Sequence, residues 1–359
     1  MVNALNDNSS PVSQRLVLLS HSHQPRASFP SIGRVYSSLT IMRLTKADGP
    51  RYVVYLYARM VRGCGTLPLP SPGISHVSQR TLPDDFDPEA VPIRPAATVM
   101  LVDDRPDLQV FMMERHANTV FAGGMWVFPG GSVDISDDAA AYEARCAARE
   151  AVEANRLLEL DGGALRYYVA AIREAFEESG LLLSVHAGTG AKLTLSEPED
   201  IVRFQAHRDA LNAGERSLLT ILETENLLMD AGDMHYIARW ITPLGSPRRF
   251  DARFFIARVP GAQTPAHDNQ ELVHSAWFRP QDVLDAFDRE EMVLMTPTLR
   301  MLRSLARFKS AVQVIDAAQA NLPDERVRVL DGRLVLPSDA GYETADQNIE
   351  NGWVRLRPE

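Results

Sequence analysis

Three glutamates spaced for one face of a helix are the residues of this chain best suited to chemistry. Glu174, Glu177 and Glu178 stand at i, i+3 and i+4, so a helix places their carboxylates side by side. Like charges at this spacing repel, and no lysine follows Glu174 or Glu177 at the fourth position to offset the repulsion. A hard divalent cation would relieve it, and carboxylate oxygens suit Mg²⁺ or Mn²⁺. A solvated acidic helix is the alternative interpretation.

The flanking sequence predicts the elements that position these carboxylates. Residues 166–179 have the composition of a strong helix, preceded by an Asp-Gly-Gly break and followed by Gly180 as a C-cap. Apolar runs predict strands at residues 96–102, 108–113, 125–128, 181–185, 237–241, 253–259 and 274–278. Further helices are predicted at residues 138–160, 199–212, 215–228, 280–288 and 298–309, the last continuing to about 319, and a hairpin at 327–336.

The stretch around the glutamates resembles a known motif. Residues 173–181 (REAFEESGL) resemble the second half of the Nudix box, G-x5-E-x7-R-E-U-x-E-E-x-G-U with U apolar, and every fixed position of that half is present. The first half resembles residues 128–134 (FPGGSVD), with Gly131 as the box glycine and Asp137 where the family has Glu. Between Gly131 and Arg173 lie 41 residues, 28 more than in the pattern. We reject the similar run at 149–155, because it lacks the second paired glutamate and the glycine.

A box interrupted in this way resembles the Nudix subgroup that includes peroxisomal coenzyme A diphosphatases. Residues 240–243 (WITP), 248–255 (RRFDARFF) and 297–299 (PTL) support this resemblance. It covers about residues 92–310 and leaves both ends of the chain unexplained.

The resemblance implies an α/β fold, an α/β/α sandwich around a mixed sheet with helical insertions. It implies that Glu174, Glu177 and Glu178 are metal ligands, that Glu174 and Glu178 act in catalysis, and that the Gly130 carbonyl lies near the metal. Arg173 would orient a glutamate through charged hydrogen bonds. The implied reaction is metal-dependent hydrolysis of a nucleoside diphosphate linked to another moiety. The subgroup points to coenzyme A or acyl-CoA, while NADH, ADP-ribose and dinucleoside polyphosphates stay open.

The chemistry also needs a base or a further ligand from outside the box. In some Nudix hydrolases this is an acidic residue on a loop before a Trp-containing strand. Glu271 stands six residues before Trp277 and is our candidate, with Asp268 and Glu223 as competitors. The alternative is that Glu271 is one of many surface acids.

Two arginines outside the box are candidate substrate contacts. Arg248 and Arg249 could clamp phosphate groups, or they could pair with the acidic surface. Asp137 is equally balanced between a site role and none, because its side chain is shorter than that of Glu. The two cysteines, Cys64 and Cys146, are interpreted as bystanders.

The N-terminal segment differs in composition from the rest. Residues 1–80 contain nine Lys/Arg, two acidic residues and twelve serines, whereas the remainder has a net charge of −17. This composition resembles a transit peptide, but we favour a disordered or non-native extension. We therefore predict a Nudix domain at residues 92–310, with insertions at 138–165 and 186–235, followed by a C-terminal helix and hairpin extension at 311–359.

Composition excludes several classes of protein. A net charge of −10 argues against general nucleic-acid binding, and no apolar run of 18 residues could span a membrane. The last four residues are not a peroxisomal Ser-Lys-Leu signal, so we expect a cytoplasmic protein acting on a small nucleotide. The oligomeric state stays open. The rival function is an inactive Nudix-fold binding module, against which the intact glutamates argue.

Overall fold

Apolar residues occupy both faces of the long strand at Ile93–Asp104, so this strand can be covered on two sides. Ala97 and Leu101 belong to one buried cluster, while Met100 and Val102 belong to another. This alternation follows from the period of two along a strand. The strand therefore lies between two layers.

The computed structural model describes residues 87, 89–116, 122–137, 139–244, 246–259, 263, 272–330, 333–347 and 351–358, and the backbone of 42–44 and 52–54. The first strands are β1 (Met42–Leu44), β2 (Tyr52–Val54), β3 (Ile93–Asp104), β4 (Leu108–Arg115), β5 (Trp126–Val127), β6 (Gly130–Ser132), β7 (Ser184–His186) and β8 (Leu227–Met229). The others are β9 (His235–Ile241), β10 (Arg249–Arg258), β11 (Leu272–Phe278), β12 (Glu325–Arg326), β13 (Arg328–Leu330), β14 (Arg333–Val335) and β15 (Gly352–Val354).

The helices fall mainly between and after these strands. They are α1 (Ala139–Tyr142), α2 (Ala151–Leu158), α3 (Leu165–Ser179), α4 (Pro198–Asn212), α5 (Leu218–Thr224), α6 (Pro280–Asp288), α7 (Thr296–Leu305) and α8 (Ala311–Gln319). Short 3-10 turns occur at Ile135–Asp137, Glu143–Arg145 and Tyr342–Thr344.

The main sheet is mixed. Within the described part of the chain it has nine strands, seven of them in the order β11-β4-β3-β10-β9-β15-β12, with β5 beside β4 and β6 beside β3. The central strands β3 and β10 are parallel, and Ala97 lies opposite Arg253. On the other side of β3, the antiparallel strand β6 places Gly131 opposite the same Ala97. The glycine loop therefore lies beside the middle of the sheet.

Helices cover both faces of this sheet. Helix α3 packs on one face in a core that also receives Phe204 of α4 and Ile221 of α5. Helices α6, α7 and α8 cover the opposite face, through residues such as Val283, Met301 and Val314. The expected α/β/α sandwich is confirmed. Among the described residues, no helix is both long and apolar enough to cross a bilayer.

The prediction of one helix over residues 138–160 is wrong. The segment forms α1, a 3-10 turn and α2, separated by an extended stretch at Cys146 and by Ala148 with a left-handed φ of 52°. The extended stretch is held by pairing with a distant segment, since the Ala147 amide donates to the Met229 carbonyl over 2.8 Å. Tertiary pairing overrides a helical composition here.

Two other helices are shorter than predicted. The expected helix at 215–228 begins only after Ser217, whose side chain accepts from the Thr220 amide, and residues 227–229 form β8. The helix predicted to run from 298 toward 319 divides into α7 and α8, with Ser310 as the N-cap of the second. The predicted hairpin at 327–336 is confirmed as the pair β13 and β14, although its turn residues 331–332 lie outside the described residues.

The last residues of the chain complete the main sheet. Strand β15 lies between β9 and β12, and the ring of Trp353 packs edge-on against Tyr236 with centroids 4.8 Å apart. The segment 311–359, expected to be an extension, thus supplies two strands and one helix to the central layers. Of residues 1–80, only the antiparallel pair β1 and β2 lies in the described part.

We predict opposite outcomes for truncation at the two ends. A chain beginning at Arg80 keeps every described strand of the main sheet and should retain a cooperative thermal transition. A chain ending at residue 350 loses β15, the strand between β9 and the edge strand β12, and should lose that transition, because Trp353 and Leu356 are buried. Circular dichroism of both variants measures this. An insoluble chain from Arg80 would contradict the N-terminal boundary.

Candidate active site

The site is built on helix α3, which carries the three glutamates. Its apolar residues, among them Val169, Ile172 and Phe176, are fully buried against the sheet. The helix ends where predicted, because Gly180 adopts a left-handed conformation with φ of 73° and its amide donates to the Phe176 carbonyl over 2.9 Å. The last two turns present the three carboxylates along one partly buried edge.

Arg173 connects both halves of the motif. Its guanidinium has five N–H groups, and each has an acceptor. Nε and Nη2 both donate to the Asp137 carboxylate, over 2.8 and 3.1 Å. Nη2 also donates its second hydrogen to the Ser132 carbonyl over 3.1 Å. Nη1 donates to Glu174 at 3.0 Å and to Glu177 at 2.8 Å. The arrangement leaves Arg173 no freedom to turn away.

Asp137, which the sequence left undecided, contacts Arg173 directly. It is fully buried and also accepts from the Asp134 amide over 2.8 Å. A 3-10 turn at Ile135–Asp137 brings the shorter side chain close enough to replace a glutamate. The 28 extra residues therefore leave the connection between the two halves intact.

The glycine loop touches the glutamates through its backbone. The Gly130 amide donates to Oε2 of Glu178 over 2.9 Å. At Gly131 a Cβ would lie 2.5 Å from the Glu174 carboxyl carbon, so any side chain there would displace the Glu174 carboxylate. Arg115, at the end of β4, lies 3.8 Å from Oε1 of Glu178. The structure thus brings Gly130, Arg173 and all three glutamates together.

Burial and crowding raise the pKa of two glutamates. The pKa of Glu174 is raised to about 7, chiefly by desolvation, with a smaller contribution from the neighbouring Glu177, while Arg173 opposes the shift. Desolvation also raises the pKa of Glu177, again against Arg173. The site holds more negative charge than its one central cation balances.

The chemistry of these donors fits a divalent cation. Carboxylate oxygens on one face and an excess of negative charge are what such an ion would neutralise. In their present rotamers, Glu174 and Glu177 accept hydrogen bonds from Arg173. Among the described residues, no three His, Cys, Asp or Glu side chains converge as a metal site. The ligand roles of Glu174, Glu177, Glu178 and Gly130 therefore stay predictions.

The predicted residues outside the box are not brought to the glutamates by any contact in the described part of the chain. Arg248 is exposed, and Arg249 donates to the Thr242 carbonyl over 3.1 Å. Glu223 lies exposed on α5. Glu271 and Asp268 fall outside the described residues, so the identity of the base stays a prediction.

Sequence reasoning missed Arg115. Its signal was available, since a charged Glu-Arg pair ends the apolar run of β4 just before the glycine loop. The Arg115 amide and carbonyl also pair with Met125 and Gly124, at 3.0 and 2.9 Å. Strand β4 thereby fixes the approach of the loop that leads to the box glycine.

Comparisons with known proteins agree with the motif. The family model described as NUDT19 Nudix domain matches residues 160–305. The acyl-coenzyme A diphosphatase NUDT19 of Xenopus laevis is 22% identical over 230 residues, which are 56% of this chain and 60% of that protein. The human protein of the same name is 29% identical over 152 residues, 40% of each chain. The chain thus spans less than two thirds of these relatives.

A solved structure supports the fold. The Nudix hydrolase from Alicyclobacillus acidocaldarius is 29% identical, with a TM-score of 0.51, and covers 63% of this chain and 97% of its own. The motif, the sandwich and the match of residues 160–305 to a Nudix family model therefore agree with one another. Among proteins with this domain, the chain is similar to the acyl-coenzyme A diphosphatases.

We predict that Asp137→Asn destabilises the fold. It breaks a buried ion pair, which costs about 3–5 kcal/mol, and leaves two Arg173 donors facing an amide. The free energy of unfolding in urea measures the loss. Asp134→Asn is the control, because that side chain is 60% exposed and lies 3.7 Å from Arg173; its effect should stay within about 0.5 kcal/mol. Equal effects of the two variants would contradict the bridging role of Asp137.

We also predict that added Mn²⁺ stabilises the protein more at high pH. The folded pKa of Glu174 is about 7, above its ordinary 4.5, so the stability that this group contributes is complete below 4.5 and is lost as the pH rises through 7. A cation that requires the ionised form should raise Tm more at about pH 8 than at about pH 5.5. Differential scanning fluorimetry with and without chelator measures both shifts.

Glu174→Gln is the control for this pH dependence. It should reduce the difference between the two Mn²⁺-induced Tm shifts. Equal shifts at both pH values in the parent would count against cation binding at Glu174.

Proposed function

We propose that this chain is a divalent-cation-dependent Nudix hydrolase that cleaves the diphosphate bond of a nucleoside diphosphate derivative. The observation that carries the proposal is the contact set of Arg173, which holds Asp137, Glu174 and Glu177 in one cluster beside the glycine loop. Both paired glutamates of the box are retained. Nudix hydrolases generally use divalent cations, and the oxygen donors here favour Mg²⁺ or Mn²⁺.

In hydrolysis, water adds to one phosphorus while the bridging P–O bond breaks, so each phosphorus ends as a phosphate monoester. Bound cations would polarise the diphosphate and lower the pKa of the attacking water. The chain's own part is to hold acceptors in fixed positions: Gly130 fixes the Glu178 carboxylate, and Arg173 fixes Glu174 and Glu177. Glu271 is retained as the proposed base.

We propose coenzyme A or acyl-CoA as the substrate class to test first. The support is the resemblance to proteins named acyl-coenzyme A diphosphatases. Cleavage would give a phosphopantetheine-type product and adenosine 3′,5′-bisphosphate. Arg248 and Arg249 are proposed to bind substrate phosphates: Arg248 is exposed, and desolvation lowers the pKa of Arg249. A cytoplasmic location is part of the same proposal.

A binding module without catalysis is the rival from another functional class. It would bind nucleotides without releasing phosphate monoesters. The intact cluster argues against it, because a module without catalysis has no need for two glutamates, Glu174 and Glu177, whose ionised forms are disfavoured by burial.

We predict that the parent hydrolyses at least one member of a panel of coenzyme A, acyl-CoA, NADH, ADP-ribose and dinucleoside polyphosphates when Mn²⁺ is present. Glu178→Gln should lower turnover about 10²–10⁴-fold, because it removes the charge of a catalytic group. Product release followed by chromatography measures both. The control Glu199→Gln changes an exposed glutamate on α4 and should match the parent. Binding without hydrolysis across the panel would favour the rival.

A further inference from the structure

The end of helix α3 has two carbonyls that the helix itself cannot satisfy. The last four carbonyls of a helix lack an internal donor. The Leu181 amide is in sequence position to donate to the Glu177 carbonyl, but it donates to the Ser179 hydroxyl over 3.2 Å instead. The Leu182 amide, which could serve Glu178, donates to the Gln263 side chain at 3.0 Å. The backbone of two glutamates of the box therefore depends on a donor from elsewhere.

Arg208 supplies that donor from the inserted helix α4. Its Nε donates to the Glu177 carbonyl at 2.9 Å and its Nη2 to the Glu178 carbonyl at 2.8 Å. The side chain of Asn212, one turn later, adds a bond of 3.3 Å to the Glu177 carbonyl. Arg208 is only 1% exposed, so its cation is buried at the negative end of the helix dipole.

The insertion holds Arg208 through its own network. On the same helix, His207 lies between two partners: Arg216 donates to its Nδ1 at 2.8 Å, and its Nε2 lies 2.8 Å from Glu225. Because Nδ1 accepts, we assign the hydrogen to Nε2, which donates to Glu225. Arg203 also donates to Glu225 at 3.1 Å. These bonds fix α4 to the segment that follows α5.

We propose that Arg208 is a positioning residue, which fixes the last turn of α3 and thereby the carboxylates of Glu177 and Glu178. The inference rests on the proposed function, since it assigns the second insertion a task in the same site. Glu178 is held at its carbonyl by Arg208 and at its carboxylate by the Gly130 amide. Movement of the turn would therefore shift the carboxylate relative to the glycine loop.

The competing explanation is that Arg208 only contributes stability, as a buried group in a packed insertion. The two explanations differ in what they expect of folded variants. A purely stabilising residue changes Tm but leaves the site of the folded molecules unchanged. A positioning residue changes turnover and cation affinity at temperatures where the protein is still folded.

The test compares Arg208→Met and Arg208→Lys with two controls. Arg208→Met keeps an unbranched apolar stem and removes the donors, whereas Arg208→Lys keeps a cation that can reach fewer acceptors. Gln205→Met changes an exposed side chain of the same helix that donates to Asp209, also on that helix. Val314→Ala makes a cavity in the opposite core and lowers Tm without touching α3.

The readouts are Tm, kcat and KM on the substrate found active, and the Kd of Mn²⁺ alone by calorimetry, all well below Tm. For Arg208→Met we expect kcat to fall and the Mn²⁺ Kd to rise about 10–100-fold, the scale for a group that orients metal-site residues. KM should change little. Arg208→Lys should fall between Met and the parent, and both controls should keep the parent's kcat and Kd.

Parent-like kcat and Kd in folded Arg208→Met would overturn the assignment and leave the proposed function standing. If Arg208→Met does not fold, Arg208→Lys is the deciding variant. Parent-like kcat and Kd in Arg208→Lys overturn the proposal. A lower kcat and a higher Kd, neither of which Val314→Ala shows, support it. If the parent binds Mn²⁺ but hydrolyses no substrate, the proposed function fails and the Kd comparison still tests Arg208. A parent that neither binds nor hydrolyses contradicts both.

Discussion

The buried guanidinium of Arg173 is the interaction on which the site depends. Taking a cation out of water is costly unless its donors are all satisfied, and here five N–H groups meet three carboxylates and one carbonyl. The acceptors come from the glycine loop, from the turn at Asp137 and from α3 itself. No segment of this cluster can move without leaving a buried donor unpaired.

That requirement explains how an interrupted motif can still assemble. The insertion begins after Asp137 and ends before Arg173, and these two residues are in direct contact. Because the ends are held together by an ion pair, added length between them costs only a slowly growing loop-closure entropy. The second insertion is not a passive addition either, since α4 places Arg208 against the end of the same helix.

The sequence was sufficient for features that depend on local spacing. Helix α3, its Gly180 cap and the shared face of the glutamates follow from periodicity and from one glycine. It was insufficient where distant segments decide. Cys146 is extended because it pairs with Met229, and nothing near residue 208 indicates that its arginine meets α3. The sequence cannot reveal these partners of Arg208, because they are backbone carbonyls, a group that every residue has.

The charge balance of the cluster gives the last step of the argument. Arg173 is paired with Asp137, Glu174 and Glu177, so one cation faces three acids, and desolvation holds the pKa of two of them above the ordinary range. A cluster selected for stability alone would balance these charges or replace them with apolar residues. Two apolar cores on either side of the sheet keep the fold stable despite this imbalance. A buried excess of carboxylates is therefore a feature that stability does not explain and that the proposed cation binding would explain.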